Sequence, residues 1–429
     1  MPWPPLPRPR PIRNVSARTR EYRTLGTLRW NMTPLGNVVI MGGGPAGALC
    51  AAYLATHELA ASVIVVTPTT DWHCTYCTWI DDVCANWIPF DIFRRRWDDV
   101  RVVDGFGAVS QLDRSYGWVH AERLVAWITG IEHVRWVKDT AVQVLEDRTV
   151  RTSGGLELSA DIVVDCTGHF SKFTQYADSF IRRRFQVFYG EQIRCKHGRS
   201  LSSMELMNWE MQFDDGHPPS FVYVLTLDEE TLFMEETVLA TDCPVPYSVL
   251  KARLDLRKAR LGFAQSAVLF VEQYSLPMGG SFPIHRPGRF AFGAAAHMVH
   301  PATGYMFSEI LKGVGFLAES MELQRPYRPF STAVHVLNDL GAFMLCGMHS
   351  EPQARLRLAL FFRCMFRTHR WYQFMARRIT LGQYVSNMAH LFVIFPHRLS
   401  ILKHVAWYGS HVLGYALRRP RAGEKQGGI

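Results

Sequence analysis

Two neighbouring carboxylates, Glu235 and Glu236, sit inside the apolar run Leu232-Phe-Met-Glu-Glu-Thr-Val-Leu239. A strand sends successive side chains to opposite faces, so only one of the two can look into a pocket. A carboxyl taken out of water keeps its proton to higher pH, which fits it to work as a general acid near neutrality. The alternation does not choose between them. Glu235 shares a face with Phe233, Thr237 and Leu239, and Glu236 with Leu232, Met234 and Val238, so both faces are apolar. On pattern alone they read equally well as solvated or salt-bridged edge residues. A second acidic pair, Asp81-Asp82, closes an aromatic segment that begins at Trp72; it suits either acid–base work or holding a loop. His297 and His300 stand three residues apart, a spacing a metal can use on a helix, but Pro301 argues for a turn and no third ligand is evident. Cys74-Thr-Tyr-Cys77 lacks a second ligand pair at zinc-finger spacing. No metal is expected.

The elements that must position these groups begin with a phosphate cradle. Asn37-Val-Val-Ile-Met41 reads as a buried parallel strand, and Gly42-Gly43-Gly44-Pro45-Ala46-Gly47 follows it. Ala48 to Ala60 has a helical pattern, and Ser62 to Val66 is a second strand. In such a βαβ unit the first glycine makes the turn, Gly44 lets a pyrophosphate approach, and Gly47 packs helix on strand. Thr67 stands where the second strand of such folds usually ends in an acid that holds ribose. A hydroxyl there can bond to ribose without charge assistance.

Two later segments suit the same cofactor sheet: Asp161-Ile-Val-Val-Asp-Cys-Thr-Gly168, and Arg289-Phe-Ala-Phe-Gly293 with its following alanines. Three pieces so far apart imply a discontinuous domain of the two-dinucleotide-fold flavoprotein type. Between them, residues 181–275 alternate apolar and polar, as an antiparallel substrate sheet would. The expected fold is α/β, with a Rossmann-type FAD domain at 37–180 and 276–315 and a substrate sheet at 181–275. A leader at 1–36 and a helical, basic region at 316–429 complete the chain.

At 429 residues the chain is long enough for two domains, and with 48% hydrophobic residues it is not a disordered one. Its net charge of +9 is unevenly placed. Residues 1–30 carry +6 and residues 355–429 carry +12, which leaves −9 for residues 31–354. An acidic body with basic ends argues against a nucleic-acid-binding domain and towards an anionic membrane surface. The nine cysteines are odd in number and irregularly spaced, which indicates a reducing compartment. No run of 18 apolar residues occurs. The segment from Leu391 to Leu417 is interrupted by Pro396, Arg398 and Lys403, and reads as interfacial. The Arg- and Pro-rich leader reads either as an organelle-targeting peptide or as an extension upstream of Met32.

Several longer motifs carry a family resemblance. They are Pro277-Met-Gly-Gly280, Met298-Val-His-Pro-Ala-Thr-Gly-Tyr-Met306, Phe233-Met-Glu-Glu-Thr237, the segment Trp72 to Asp82, Tyr116-Gly-Trp-Val119 and Phe185-Gln-Val-Phe-Tyr-Gly190. In these the chain resembles the FAD-dependent lycopene cyclases of plants and cyanobacteria, from about Asn37 to about Tyr384. Cys74, Thr75, Cys77, Trp118, Ala121, Asn208 and Thr67 depart from the family's usual residues.

The resemblance implies a redox-neutral isomerisation of a carotenoid. A proton adds to a terminal double bond of linear lycopene, the cation closes a ring, and a proton leaves; a β-ring is the default product. It implies FAD, active in reduced form, with NAD(P)H as reductant. Glu235 is then favoured as proton donor over Glu236, with Asp81 and Asp82 as further acid–base candidates. Trp72, Tyr76, Trp79, Trp209, His300 and Tyr305 would line the pocket. Met298 and Gly304 would lie beside the flavin with Gly168 and Gly293. A peripheral membrane location follows, on a plastid membrane in a eukaryote or on the cytoplasmic face in a bacterium. A monooxygenase or isoprenoid reductase on the same fold, or a flavoprotein that has lost catalysis, remains an alternative.

Overall fold

The computed structural model describes residues 34–349 apart from 73 and 84–86. Beyond these it describes only positions 360–363, 365, 366, 371, 382, 385, 386, 389, 402, 403, 405–410, 412 and 413. The leader, apart from its last three residues, and most of the basic tail, including Arg367, Arg370, Arg377 and Arg378, lie outside the described residues.

Asn37–Met41 buries four of its five residues and forms the middle of a five-stranded parallel sheet. The strand order is Arg289–Ala291, Ile162–Asp165, Asn37–Met41, Ser62–Thr67 and Val134–Lys138. A strand covered on both faces reads as an unbroken apolar run, which is why all three cofactor segments were visible in the sequence. Helix Pro45–Thr56 crosses over from the first strand to the second. Its small residues Ala46 to Ala52 are buried against the sheet and against helix Phe307–Glu322.

A seven-stranded sheet carries the rest of the site. Its order is Ala267–Met278, Arg184–Arg194, Thr231–Thr241, Phe221–Thr226, Ser203–Asn208, Asp99–Val103 and Val109–Leu112. Every neighbouring pair is antiparallel except Ser203–Asn208 with Asp99–Val103. Its last two strands come from the 37–180 segment, and its first runs three residues beyond 275. The chain passes between the two sheets more than once, so contiguous ranges cannot describe the division.

The two faces of this sheet meet different partners. Helix Tyr247–Arg260 covers one, packing Leu250 and Leu254 against Val187, Val222, Met234 and Val238. The other face joins an aromatic core of Trp79, Trp97, Trp209 and Phe221, to which Phe362 and Trp371 also belong. Among the described residues no helix is long and apolar enough to cross a membrane.

Candidate active site

The glycine turn is built as its spacing requires. Gly42 has φ +101°, and a Cβ on it would lie 2.4 Å from the Cys166 carbonyl oxygen. A Cβ on Gly47 would lie 1.9 Å from the Gly42 oxygen, so the strand and helix can approach only without one. At Gly44, the N-cap of helix Pro45–Thr56, a Cβ would meet nothing within 4 Å. The space in front of the helix N-terminus is therefore open where a pyrophosphate would receive the free amides. These residues fit a dinucleotide.

Thr67 lies beside the turn, with its methyl against Gly43, and its hydroxyl donates to the Thr69 carbonyl at 2.6 Å. Its oxygen keeps only acceptor capacity for a ribose. Gly168 has φ +103° and open space around it. Gly293 has φ +65°, and a Cβ there would meet the Ala46 methyl at 2.4 Å, which brings the second turn onto the helix N-terminus. Met298 is buried, and its sulfur accepts the Gly293 N–H at 3.1 Å, so it props that turn from inside the core. Gly304, φ +77°, lies over Gln186, whose oxygen a Cβ would approach to 2.3 Å.

Register settles what alternation alone could not for Glu235 and Glu236. Glu236 points under helix Tyr247–Arg260 and is fully buried. It receives Arg257 Nε at 2.5 Å and Ser220 Oγ at 2.5 Å, while Arg253 donates to the same serine at 2.7 Å. Both its oxygens are spent on this network, away from the aromatic core.

Glu235 points to the other face, opposite Tyr223 on one side and Gly190 on the other. It lies deep in the protein but keeps some accessible surface. Its Oε1 accepts the Thr237 hydroxyl at 2.8 Å. Across Gly190, in the same register line, stands Glu272. The two carboxyls bear on each other across that glycine, and Glu272 accepts the Thr75 N–H at 2.8 Å. Burial, then repulsion from Glu272, holds the Glu235 carboxyl well above the usual carboxylate range. Burial raises Glu272 as well, against the pull of Thr75. A carboxyl so placed holds its proton to higher pH than a solvated one does.

The segment from Trp72 to Trp79 links the two parts of the site. Trp72 donates its indole N–H to the Gly43 carbonyl at 3.0 Å, and three residues on Thr75 holds Glu272. Tyr76 lies between Trp72 and Phe307, 5.9 Å from each ring. The Cys74 thiol is pushed up to about 11, by burial first and then by Glu272. Trp79 packs on Tyr116 at 4.8 Å and Trp371 at 5.1 Å, and Trp209 on Phe221 at 4.9 Å and Phe362 at 4.7 Å. The Tyr305 hydroxyl is 3.4 Å from that of Tyr116.

The other candidates hold the frame. Asp81 is exposed and takes a bidentate pair from Arg114. Asp82 is buried, with Arg114 at 3.4 Å and Lys312 at 3.5 Å, and so ties the segment to helix Phe307–Glu322. The backbone N–H of His300 donates to the Tyr305 carbonyl at 3.0 Å, and its Nδ1 accepts the Ala302 N–H at 3.2 Å, which closes the loop. His297 is left-handed, φ +52°, and stacks on Tyr176 at 4.3 Å. Among the described residues no three His, Cys, Asp or Glu side chains gather as metal ligands would.

The sequence reading missed Glu272, Arg257 and Tyr223, and gave no role to Tyr116 and Gly190, which it named only within longer motifs. Glu272 left a signal: it is the lone acid in the apolar strand Ala267–Met278, five residues before Pro277. Arg257 left none, since its partner is 21 residues away on another element.

A Rossmann-type turn joined through one aromatic segment to a buried carboxyl on a mixed sheet defines a large class of α/β proteins. Within it, the chain belongs to the lycopene cyclase family, whose model, described as "Lycopene cyclase protein", matches residues 37–400. It is 27% identical to the chloroplastic lycopene beta cyclase of Arabidopsis thaliana over 301 residues, which cover 66% of this chain and 60% of that protein. It is 26% identical to the chloroplastic neoxanthin synthase of Solanum lycopersicum over the same share of each. The match to the lycopene beta cyclase of Synechococcus elongatus, also 27% identical, covers 84% of this chain and 94% of that one. The chain thus spans about 60% of the plant relatives' length and nearly all of the cyanobacterial one.

Among solved structures the fold is shared with a geranylgeranyl bacteriochlorophyll reductase-like protein of Thermoplasma acidophilum. That protein is 14% identical, with a TM-score of 0.55 over 89% of this chain and 98% of that one. It is shared also with a tryptophan 6-halogenase of Streptomyces toxytricini, 13% identical, TM-score 0.52, over 90% and 98%.

Proposed function

We propose that the protein is a carotenoid end-group cyclase of the lycopene beta-cyclase type, which closes the linear ends of lycopene into rings without net redox change. One observation carries this reading. The segment Trp72 to Thr75 spans from the carbonyl of the dinucleotide turn to the buried, facing carboxyls of Glu235 and Glu272. A reductase or monooxygenase has no need of such an acid; a cyclase begins with one.

Glu235 gives its proton to the terminal double bond. The aromatic side chains Tyr76, Tyr116, Tyr223 and Tyr305 near that face stabilise the cation, each π contact being worth roughly 0.5–2 kcal/mol. Their phenols are pushed upward by burial, so they stay neutral and do not quench the cation as phenolates. The turn Gly42 to Gly47, with Thr67, Gly168 and Gly293, would hold FAD, which in reduced form, with NAD(P)H as its source of electrons, supplies an electron-rich ring system beside the positive charge. Residues near this turn orient the cofactor and exclude water, and the acid–base work belongs to the carboxyls.

The oily substrate places the protein peripherally on a membrane, of a plastid in a eukaryote; the chloroplastic relatives support that location. The test is incubation with lycopene in liposomes and reduced FAD, followed by pigment analysis. Cyclised product from the wild type and none from Glu235→Gln with flavin still bound is the expected result. Unchanged lycopene where a known cyclase succeeds would overturn the substrate, and full activity of the variant would overturn the acid.

A further inference from the structure

The carboxyl that faces Glu235 belongs to a strand two removed, and the arrangement that brings it there is specific. Glu235, Gly190 and Glu272 lie in one register line across three antiparallel strands. Next-but-one strands are about 9–10 Å apart, so two glutamates can meet over the middle strand only if nothing rises from it. Gly190 provides that gap. A Cβ there would come 2.6 Å from the Phe233 ring and 3.4 Å from Glu235 Cβ, in the space through which the carboxyls reach each other.

Glu272 is then fixed from the far side by the Thr75 N–H at 2.8 Å. Glu235 meets a hydroxyl instead, that of Thr237. An amide N–H can only donate, so its partner on Glu272 stays an acceptor, whereas the Thr237 hydroxyl can turn to accept; the proton of the pair therefore belongs on Glu235. Cys74, Tyr76, Cys77 and Tyr223 are the other titratable groups that bear on the pair, and each is held neutral by burial.

Resting on the cyclase reading, we infer that Glu272 is the positioning residue for the acid: it shares one proton with Glu235 across Gly190, keeps that proton on Glu235 at rest, and makes the pair recover one at the end of the reaction. The steps balance. The Glu235 O–H bond breaks as a C–H bond forms at the terminal alkene carbon, and a π pair then forms the ring C–C bond. The pair is left with two negative charges in contact, which is its least stable state in a dry site. A C–H bond beside the cationic carbon breaks, its electrons become the ring double bond, and the proton returns to the pair. No oxidant, reductant or outside acid is consumed.

The first arm of the test uses no substrate. At pH 7 the infrared spectrum of the flavin-bound wild type should hold the carbonyl stretch of one buried protonated carboxyl, absent in Glu235→Gln. In Glu272→Gln the band should titrate away at least about one pH unit lower, because the repelling charge is gone. Glu272→Asp, which keeps the charge, should restore most of that midpoint. In the cyclisation arm, the alkaline limb of kcat/KM should shift down with the band, about a tenfold loss per pH unit beyond it. A wild type with no protonated carboxyl at pH 7 overturns the proposal without any variant. So does a Glu272→Gln protein whose midpoint matches the wild type, whatever its rate. If the band behaves as expected and lycopene is not cyclised, the proton pair stands and the reaction assigned to it falls.

Discussion

Burial acts on Glu235 and Glu236 alike, so what separates them is the group set opposite each. Glu236 meets a guanidinium and becomes half of a structural ion pair; Glu235 faces a carboxyl, which favours its neutral form. Removing one partner of a buried pair strands the other's charge, at a cost of about 3–5 kcal/mol. Glu236→Gln is therefore expected to lower stability by about that much in denaturant melts, with flavin still bound at low denaturant. The matched double variant Glu236→Leu with Arg257→Met should recover most of the loss, as apolar replacement of both partners often does. No recovery would count against a simple ion pair. Glu235 gives the opposite kind of prediction. Its folded pKa is raised, so its contribution to stability is full below the unfolded value and is lost as pH rises through the folded one. Glu235→Gln should match the wild type below about pH 4 and gain on it as pH rises further, by at most about 1.4 kcal/mol per pH unit. A gap that does not widen between pH 5 and 8 would mean that Glu235 is already ionised there. The sequence made the two acids conspicuous but could not assign them, since Arg257 and Glu272 reach them through tertiary register and not through spacing.

Elements differ in how much of their role a local pattern can carry. The cofactor strands are covered on both faces, so their composition declares them, and the glycines that follow are dictated by contacts within a few residues of chain. Gly47→Ala would place a methyl 1.9 Å from the Gly42 carbonyl oxygen, backbone that cannot swing aside. The expected result is loss of flavin absorbance from the purified protein, while Gly44→Ala, where a Cβ meets no protein atom, should fold normally and weaken only the dinucleotide. Retained stoichiometric flavin in Gly47→Ala would remove the turn from the cofactor site. The seven-stranded sheet was only half legible. Its central strands alternate and were expected, but Asp99–Val103 and Val109–Leu112 are short and enter from the other side of the cofactor sheet in sequence. Nothing local tells such a strand which sheet will accept it. Gly190 is the sharpest case: as a residue in a strand it is merely a weak strand former. Its meaning appears only when Glu235 and Glu272 are placed on either side.

At the scale of the whole molecule, the basic end of the chain also carries exposed apolar side chains. The body between 31 and 354 is net −9 and the tail from 355 is net +12, so an anionic surface would attract the tail and repel the body. Within the part of the tail that is described, Leu402, Trp407 and Leu413 are each about half exposed or more, at 49%, 53% and 60%. Water disfavours such side chains, whereas the headgroup boundary of a bilayer accepts them, tryptophan especially. Basic residues near an anionic surface each contribute on the order of 1 kcal/mol, and that part is screened by salt, whereas apolar insertion is not. The protein should therefore float with vesicles rich in phosphatidylserine at low salt and bind neutral phosphatidylcholine vesicles much more weakly. Raising the salt should release most of it from the anionic vesicles. Trp407→Glu with Leu413→Glu should weaken binding to both kinds of vesicle, because it removes the insertion common to them. Equal flotation of wild type and double variant would assign attachment to charge alone. A wild type that stays at the bottom of the gradient with anionic vesicles would remove the membrane from the account, and the polyene would then need another route to Glu235.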